Sequence, residues 1–212
     1  MATDMNARPN EVAYYLGIAE AVAKKSTCLR RKYGAVIVNR GEVVSTGYNG
    51  APRGCANCTD IGFCIRNLIG VEQGADYNKC RSVHAEMNAM LSASRQEMIG
   101  STIYIVGLQP NLKTGQLEYA SSQPCLLCHR MMINAGIKEC IGYMREFDPS
   151  RGALIDDCVK IVSRPINISG KLFDLRIYHE YEPIIRNEKA IGTDLLLEKL
   201  GKACGVEPGE DD

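Results

Sequence analysis

The sequence has little with which to grip nucleic acid or membrane. Its 25 Lys and Arg are matched by 25 Asp and Glu, so the net charge at neutral pH is zero. Without a cationic excess, the overall charge does not draw the chain to phosphodiester backbones or anionic lipid. One local basic cluster, Lys24, Lys25, Arg30, Arg31 and Lys32, stands inside that neutral total. No apolar run approaches the ~18 residues a membrane-spanning helix requires. The opening MATDMNARPN is polar and lacks the apolar centre of an export signal. These absences predict a soluble, cytoplasmic protein that meets neither membrane nor nucleic acid. Histidine is scarce too, at three residues: His84, His129 and His179.

What is present is ordinary except for sulfur. At 212 residues, 45% apolar and 24% charged, the chain has the composition of a globular protein. That length is about one to one and a half domains at ~150 residues each. Ten cysteines stand out, and with no export signal expected their thiols should stay reduced. So many reduced thiols point to metal binding or catalysis before disulfides. With three histidines available, a mixed His/Cys site has few ways to be built.

Apolar spacing predicts a helix over 10–27, opened by Asn10 as N-cap. The β-branched runs 34–39 and 42–48, separated by a short turn, predict a hairpin. From Gly50 to Arg81 the pattern dissolves into Gly, Pro, Asn and Asp with four cysteines, a loop-rich insertion (51–81) that needs something to hold it. A helix follows over 84–98, a buried strand over 101–108 and an exposed hairpin over 111–120. Next come a helix from Pro124 to Ala135 capped by Gly136, a strand over 137–144 and a short helix over 153–160. Beyond 160 the signal weakens to a strand at 172–181, a helix at 193–203 and an acidic tail expected to be disordered. Strands alternating with helices predict an α/β fold, a three-layer α-β-α sandwich on a mixed central sheet. The expected domain covers 1–160, with 161–212 as an extension packed on it.

Two short motifs carry chemistry: His84-Ala85-Glu86 and Pro124-Cys125-Leu126-Leu127-Cys128, each opening a helix. In a chain of this composition both arise together by accident on the order of 0.004 times. Cys125 and Cys128, three apart on a first helical turn, project their thiols to one side, where free N–H groups favour thiolate. His84 adds a third ligand and leaves one tetrahedral position for water, the arrangement of a catalytic zinc. Glu86 is the proposed proton acceptor. Within a continuous helix it would lie ~200° from His84, so both face one pocket only if His84 sits at the very entry. Blander readings exist for each part: a zinc knuckle or redox pair, a buried histidine, a first-turn glutamate serving the helix dipole.

On these residues the chain resembles the cytidine/deoxycytidylate deaminase superfamily, and within it the deoxycytidylate (dCMP) deaminases and their bacterial competence-operon relatives. Beside the two zinc motifs, the matching stretches are Cys28, Gly34–Val38, Thr46–Gly54, His84–Ala89 and Asn134–Ile137. The resemblance implies a cytidine-deaminase-like fold and hydrolysis of dCMP to dUMP and ammonia. Water on zinc would attack C4, with Glu86 carrying protons to ring N3 and then to the leaving amine. It implies Asn49 at the base or sugar and Arg30, Arg31 and Arg53 as candidates for the 5′-phosphate. A second, structural zinc is expected on Cys28, Cys58 and Cys80 with Cys64 or Cys55. Homo-oligomers, hexamers among them, allosteric control by dCTP and dTTP, and Mg²⁺ with those nucleotides are expectations of the same origin. The chain departs from its relatives by an insertion at 108–123, bordering the zinc motif, and by some fifty residues after the core. Other substrates therefore stay open (cytidine, cytosine, a pterin- or riboflavin-type ring, a base in RNA), as does a zinc-stabilised interaction module without turnover.

Overall fold

The structure, a computed structural model, describes residues 8–71, 77–111, 113–148 and 153–166. The chain opens with α1 (Glu11–Lys24), whose N-cap Asn10 accepts from the Ala13 N–H at 2.8 Å. Its i, i+4 spacing buries Tyr15, Leu16, Ala19 and Ala23 along one stripe. Strands β1 (Lys32–Asn39) and β2 (Glu42–Tyr48) form the expected hairpin. Arg40 and Gly41, at φ 53° and 81°, supply the two left-handed residues of a turn that follows the sheet's right-handed twist.

Then come the short helices α2 (Cys58–Ile61) and α3 (Ile65–Leu68), a 3-10 turn at Tyr77–Lys79, α4 (Ala85–Leu91) and α5 (Arg95–Met98). The chain continues through β3 (Thr102–Pro110), β4 (Leu117–Ala120), α6 (Leu126–Ala135), β5 (Glu139–Asp148) and β6 (Ala153–Pro165). The sheet order is β2-β1-β3-β5-β6. Only the β3–β5 pair is parallel, because α6 carries the chain back over the sheet between them. The hairpin expected within 111–120 begins earlier: its first strand is the end of β3 (107–110), and only its second, β4, falls in that segment.

Two layers of helix sandwich this sheet. The α1 stripe packs on Val36, Val38, Tyr104, Val106, Leu108 and Ile141. Full burial of such side chains stabilises by roughly 2 kcal/mol each. Side chains alternate across a strand, so Ala35 and its cross-strand neighbour Gly47 face the other way, where α4 lies with α6 beside it. Gly47 allows a close approach: a Cβ there would stand 2.3 Å from the Ala89 nitrogen and 2.4 Å from the Ala85 carbonyl oxygen.

Two expected elements are corrected. Residues 153–160 are strand, part of β6, and pair with β5 instead of coiling on themselves. The 84–98 helix is two helices, because Ser94 and Glu97 form a capping box that starts a new one. The expected strand at 172–181, helix at 193–203 and acidic tail lie outside the described residues. Among the described residues no helix is long and apolar enough to cross a membrane.

Candidate active site

His84 is the N-cap of α4, with extended backbone at φ −70°, ψ 154°. That break in helical geometry lets His84 and Glu86, two residues apart, address one cavity, since both line it. Cys125 holds the equivalent place on α6: it is the N-cap, and its sulfur accepts from the Cys128 N–H at 3.5 Å. Pro124 therefore precedes the cap instead of occupying the first helical position.

The two helix entries converge. His84 Nδ1 lies 3.4 Å from both Cys125 Sγ and Cys128 Sγ. Zinc bonds of ~2.0 Å to nitrogen and ~2.3 Å to sulfur at tetrahedral angles put a nitrogen and a sulfur donor ~3.5 Å apart, so both nitrogen–sulfur distances suit that ion. Among the described residues it is the only group of three such donors within 4.8 Å of one another. Its electrostatics agree. Cys128 donates to Cys125, and with the His84 contact and the helix N–H this draws the Cys125 thiol down to about 4. Cys128 is pushed up in turn, and the Cys125 sulfur raises His84. The Cys125 sulfur thus favours thiolate at the point where the three donors meet and a cation would sit.

Glu86, 6% exposed, lies beside Cys128, and burial raises its carboxyl above the ordinary range while His84 opposes the shift. It shares a cavity of about 200 Å³ with His84 and Cys125. Arg30, Arg31, Arg66 and Arg81 also line that cavity, in which Glu86 is the one acidic residue among the described residues, and the Arg81 guanidinium donates to the Ala56 carbonyl at 3.0 Å. The Arg30 Nη1 is buried with no hydrogen-bond partner. The basic cluster seen in sequence is thus no surface stripe: Arg30 and Arg31 turn to the cavity, Lys24 pairs with Glu20 at 2.8 Å, and Lys32 donates to the Ser26 carbonyl at 2.6 Å.

The remaining expected residues divide. Asn49 lines the cavity, but its Oδ1 accepts from Ser26 Oγ (2.6 Å) and Tyr33 N–H (2.7 Å), and its Nδ2 donates to the Arg31 carbonyl (3.0 Å). It builds the wall with three of its four bonds. Arg53 is exposed and does not line the cavity. Cys28, Cys58, Cys64 and Cys80 all line it, close enough that the other three help raise the Cys58 thiol, after burial, though not at the ligand spacing of the His84 trio. Cys55 is exposed and Cys140 is buried. From the 108–123 segment, Gln123 reaches the cavity. Sequence reasoning missed Arg66 and Tyr77, which come from the insertion. Tyr77 meets the His84 ring edge-on at 5.0 Å and 72°, and the Arg66 guanidinium lies 5.2 Å from the Tyr77 ring centre. No spacing rule marks residues that converge only through an irregular loop.

Residues 9–144 match the cytidine and deoxycytidylate deaminase zinc-binding region. The chain belongs to that deaminase family. It is 38% identical over 139 residues to the deoxycytidylate deaminase of Mycobacterium phage D29, covering 63% of this chain and 94% of the relative. It is 35% identical over 134 residues to the deoxycytidylate deaminase of Schizosaccharomyces pombe, covering 63% of this chain but 37% of that protein. The crystal structure of dCMP deaminase from cyanophage S-TIM5 is similar at 26% identity and a TM-score of 0.42, over 62% of this chain and 81% of that one. The matched region contains every residue of the His84, Glu86, Cys125 and Cys128 centre of this zinc-dependent deaminase.

Proposed function

We propose that this deaminase hydrolyses dCMP to dUMP and ammonia. The reading is carried by one arrangement: a buried carboxyl, Glu86, beside an imidazole and two sulfurs at zinc spacing, in a cavity with four arginines and no second acidic residue among the described residues of its lining. His84, Cys125 and Cys128 would hold the ion. When bound, zinc supplies the Lewis acidity that lets water act as a nucleophile near neutral pH. Glu86 moves the protons. Its carboxylate takes one from the attacking water and delivers it to ring N3. The second, from the hydroxyl now at C4, passes through the same carboxyl to the departing amine. A group that is base and then acid works best with its pKa near the working pH, and burial moves Glu86 in that direction.

The four arginines in the lining support an anionic substrate over a nucleoside or free base. Arg30, with its unpartnered buried Nη1, is the donor we assign to the 5′-phosphate, and a guanidinium can grip it with two hydrogen bonds. The deoxycytidylate deaminases among the relatives favour the deoxynucleotide. A second, structural zinc on Cys28, Cys58, Cys64 and Cys80 belongs to the same reading, supported by all four lining the cavity with the other three near enough to raise the Cys58 thiol. Metal analysis returning one zinc per chain would remove it. Control by dCTP and dTTP with Mg²⁺, in a homo-oligomer, is tested by whether dTTP alters the rate with dCMP.

The deciding experiment is ammonia release by zinc-loaded protein from dCMP, CMP, deoxycytidine and cytosine side by side. Fastest turnover of dCMP supports the reading. Preference for deoxycytidine or cytosine refutes the phosphate contact, and silence on all four refutes the hydrolysis.

A further inference from the structure

The insertion between β2 and α4 leaves and returns at one point, because Gly50 and Val83 exchange two backbone hydrogen bonds (3.2 and 2.8 Å) at its base. Within it, sidedness is reversed from what burial of apolar surface would produce. Phe63, Leu68 and Ile69 are 49%, 71% and 50% exposed, while Arg66 between them is 7% exposed. Taking a guanidinium out of water is costly, so an arginine turned inward past outward-facing apolar neighbours is held at the cavity by specific contacts and not by burial of apolar surface. Its mount is specific. Cys64, itself buried, is the N-cap of the single-turn α3 that carries Arg66, and the Tyr77 ring supports the guanidinium at 5.2 Å. Tyr77 meets His84 at 5.0 Å, so the two centre distances put imidazole and guanidinium no more than about 10 Å apart, within reach of the two ends of one pyrimidine nucleotide.

The geometry points to Arg66 as a specificity-determining residue: the guanidinium by which the Cys-rich insertion binds the anionic end of the substrate and tells a nucleoside monophosphate from a nucleoside. The inference rests on the dCMP reading and adds to it a residue outside the zinc motifs and outside the arginines expected from sequence. Arg66 and Arg30 reach the same cavity from different segments, the insertion and the α1–β1 connection, and so can clamp one phosphate between them. Lysine would not replace Arg66 fully, since a point charge lacks the planar fork.

The test compares zinc-loaded wild type, Arg66→Ala and Arg66→Lys, with zinc content and melting temperature measured on each. Read as kcat/KM for dCMP divided by that for deoxycytidine, Arg66→Ala should lower the ratio about 10- to 100-fold and Arg66→Lys about 3- to 10-fold. Affinity for dUMP relative to deoxyuridine, measured by calorimetry, should fall in parallel. If Arg66→Ala does not fold, the Arg66→Lys ratio decides. An unchanged ratio, whether activity is retained or lost equally on both substrates, overturns the assignment. If wild type deaminates no cytosine compound, the dCMP reading fails, and the calorimetry still judges Arg66. A dUMP affinity that drops in Arg66→Ala keeps it as an anion-binding residue, and an affinity that is absent in wild type or unchanged in the variant rejects it.

Discussion

Gly47→Ala is the sharpest test of how the sheet positions the catalytic helix. Gly47 has backbone angles open to alanine, so the substitution adds one methyl group and no backbone strain. That methyl would stand 2.3 Å from Ala89 N and 2.4 Å from Ala85 O, where ordinary contact begins near 3.4 Å. Both atoms are helix backbone and cannot rotate away, so α4 must retreat from β2 by about 1 Å. Overpacking of this kind costs about 3 kcal/mol, which in a chain of this size lowers the melting temperature by roughly 5–10 °C. The helix carries Glu86 and begins at His84, and a 1 Å displacement of reacting groups costs about 100-fold in rate. The control is Gly17→Ala on α1, exposed and with nothing within 4 Å of the new methyl, which should stabilise by about 0.5–1 kcal/mol through helix propensity alone. Thermal unfolding and ammonia release from dCMP on the pair check the argument. A Gly47→Ala protein as stable and active as wild type would refute the claim that contact with β2 sets the position of α4.

Other outcomes follow from the same geometry. Glu86→Gln should keep zinc content and melting temperature while kcat for dCMP falls about 10²–10⁴-fold; a variant as active as wild type, or two equally inert proteins, would return the chain to a zinc-stabilised binding module. Asn49→Ala leaves the Tyr33 N–H without its acceptor and the Arg31 carbonyl without its Nδ2 donor, while the Ser26 hydroxyl keeps the residue-49 carbonyl at 2.8 Å, and should cost about 2–3 kcal/mol in denaturant unfolding. Tyr119→Phe removes the 2.6 Å hydrogen bond to Glu20, whose carboxyl is held below its ordinary value by Lys24 first and Tyr119 second. Because that pKa is lowered on folding, its stabilisation is full above the unfolded value and is lost as pH falls through the folded one. The cost of Tyr119→Phe should therefore be about 1 kcal/mol at pH 7 and shrink below about pH 4, read from unfolding curves at both pH values.

Elements written in local spacing and punctuation were legible from the sequence. The α1 stripe, the β1–β2 turn and the Gly136 end of α6 each rest on contacts a few residues apart. The break at Ser94 was legible too, as a Ser-x-x-Glu capping box inside a run otherwise read as one helix. Residues 153–160 were not, because their apolar positions suit either structure and the deciding hydrogen bonds come from β5.

The metal donors are a local property: each of the two motifs starts a helix, and an N-cap cysteine or histidine must project from that first turn whatever the rest of the chain does. That much the sequence determined by itself. Only the tertiary structure brings the two helix entries within 3.4 Å, spends Asn49 on the wall, leaves Arg53 outside and turns Arg66 inward past exposed leucine and isoleucine. The reason is range. A spacing of two or three residues is set by the geometry of one helical turn, whereas the cavity is set by packing among segments from Cys28 to Cys125, which no local pattern records.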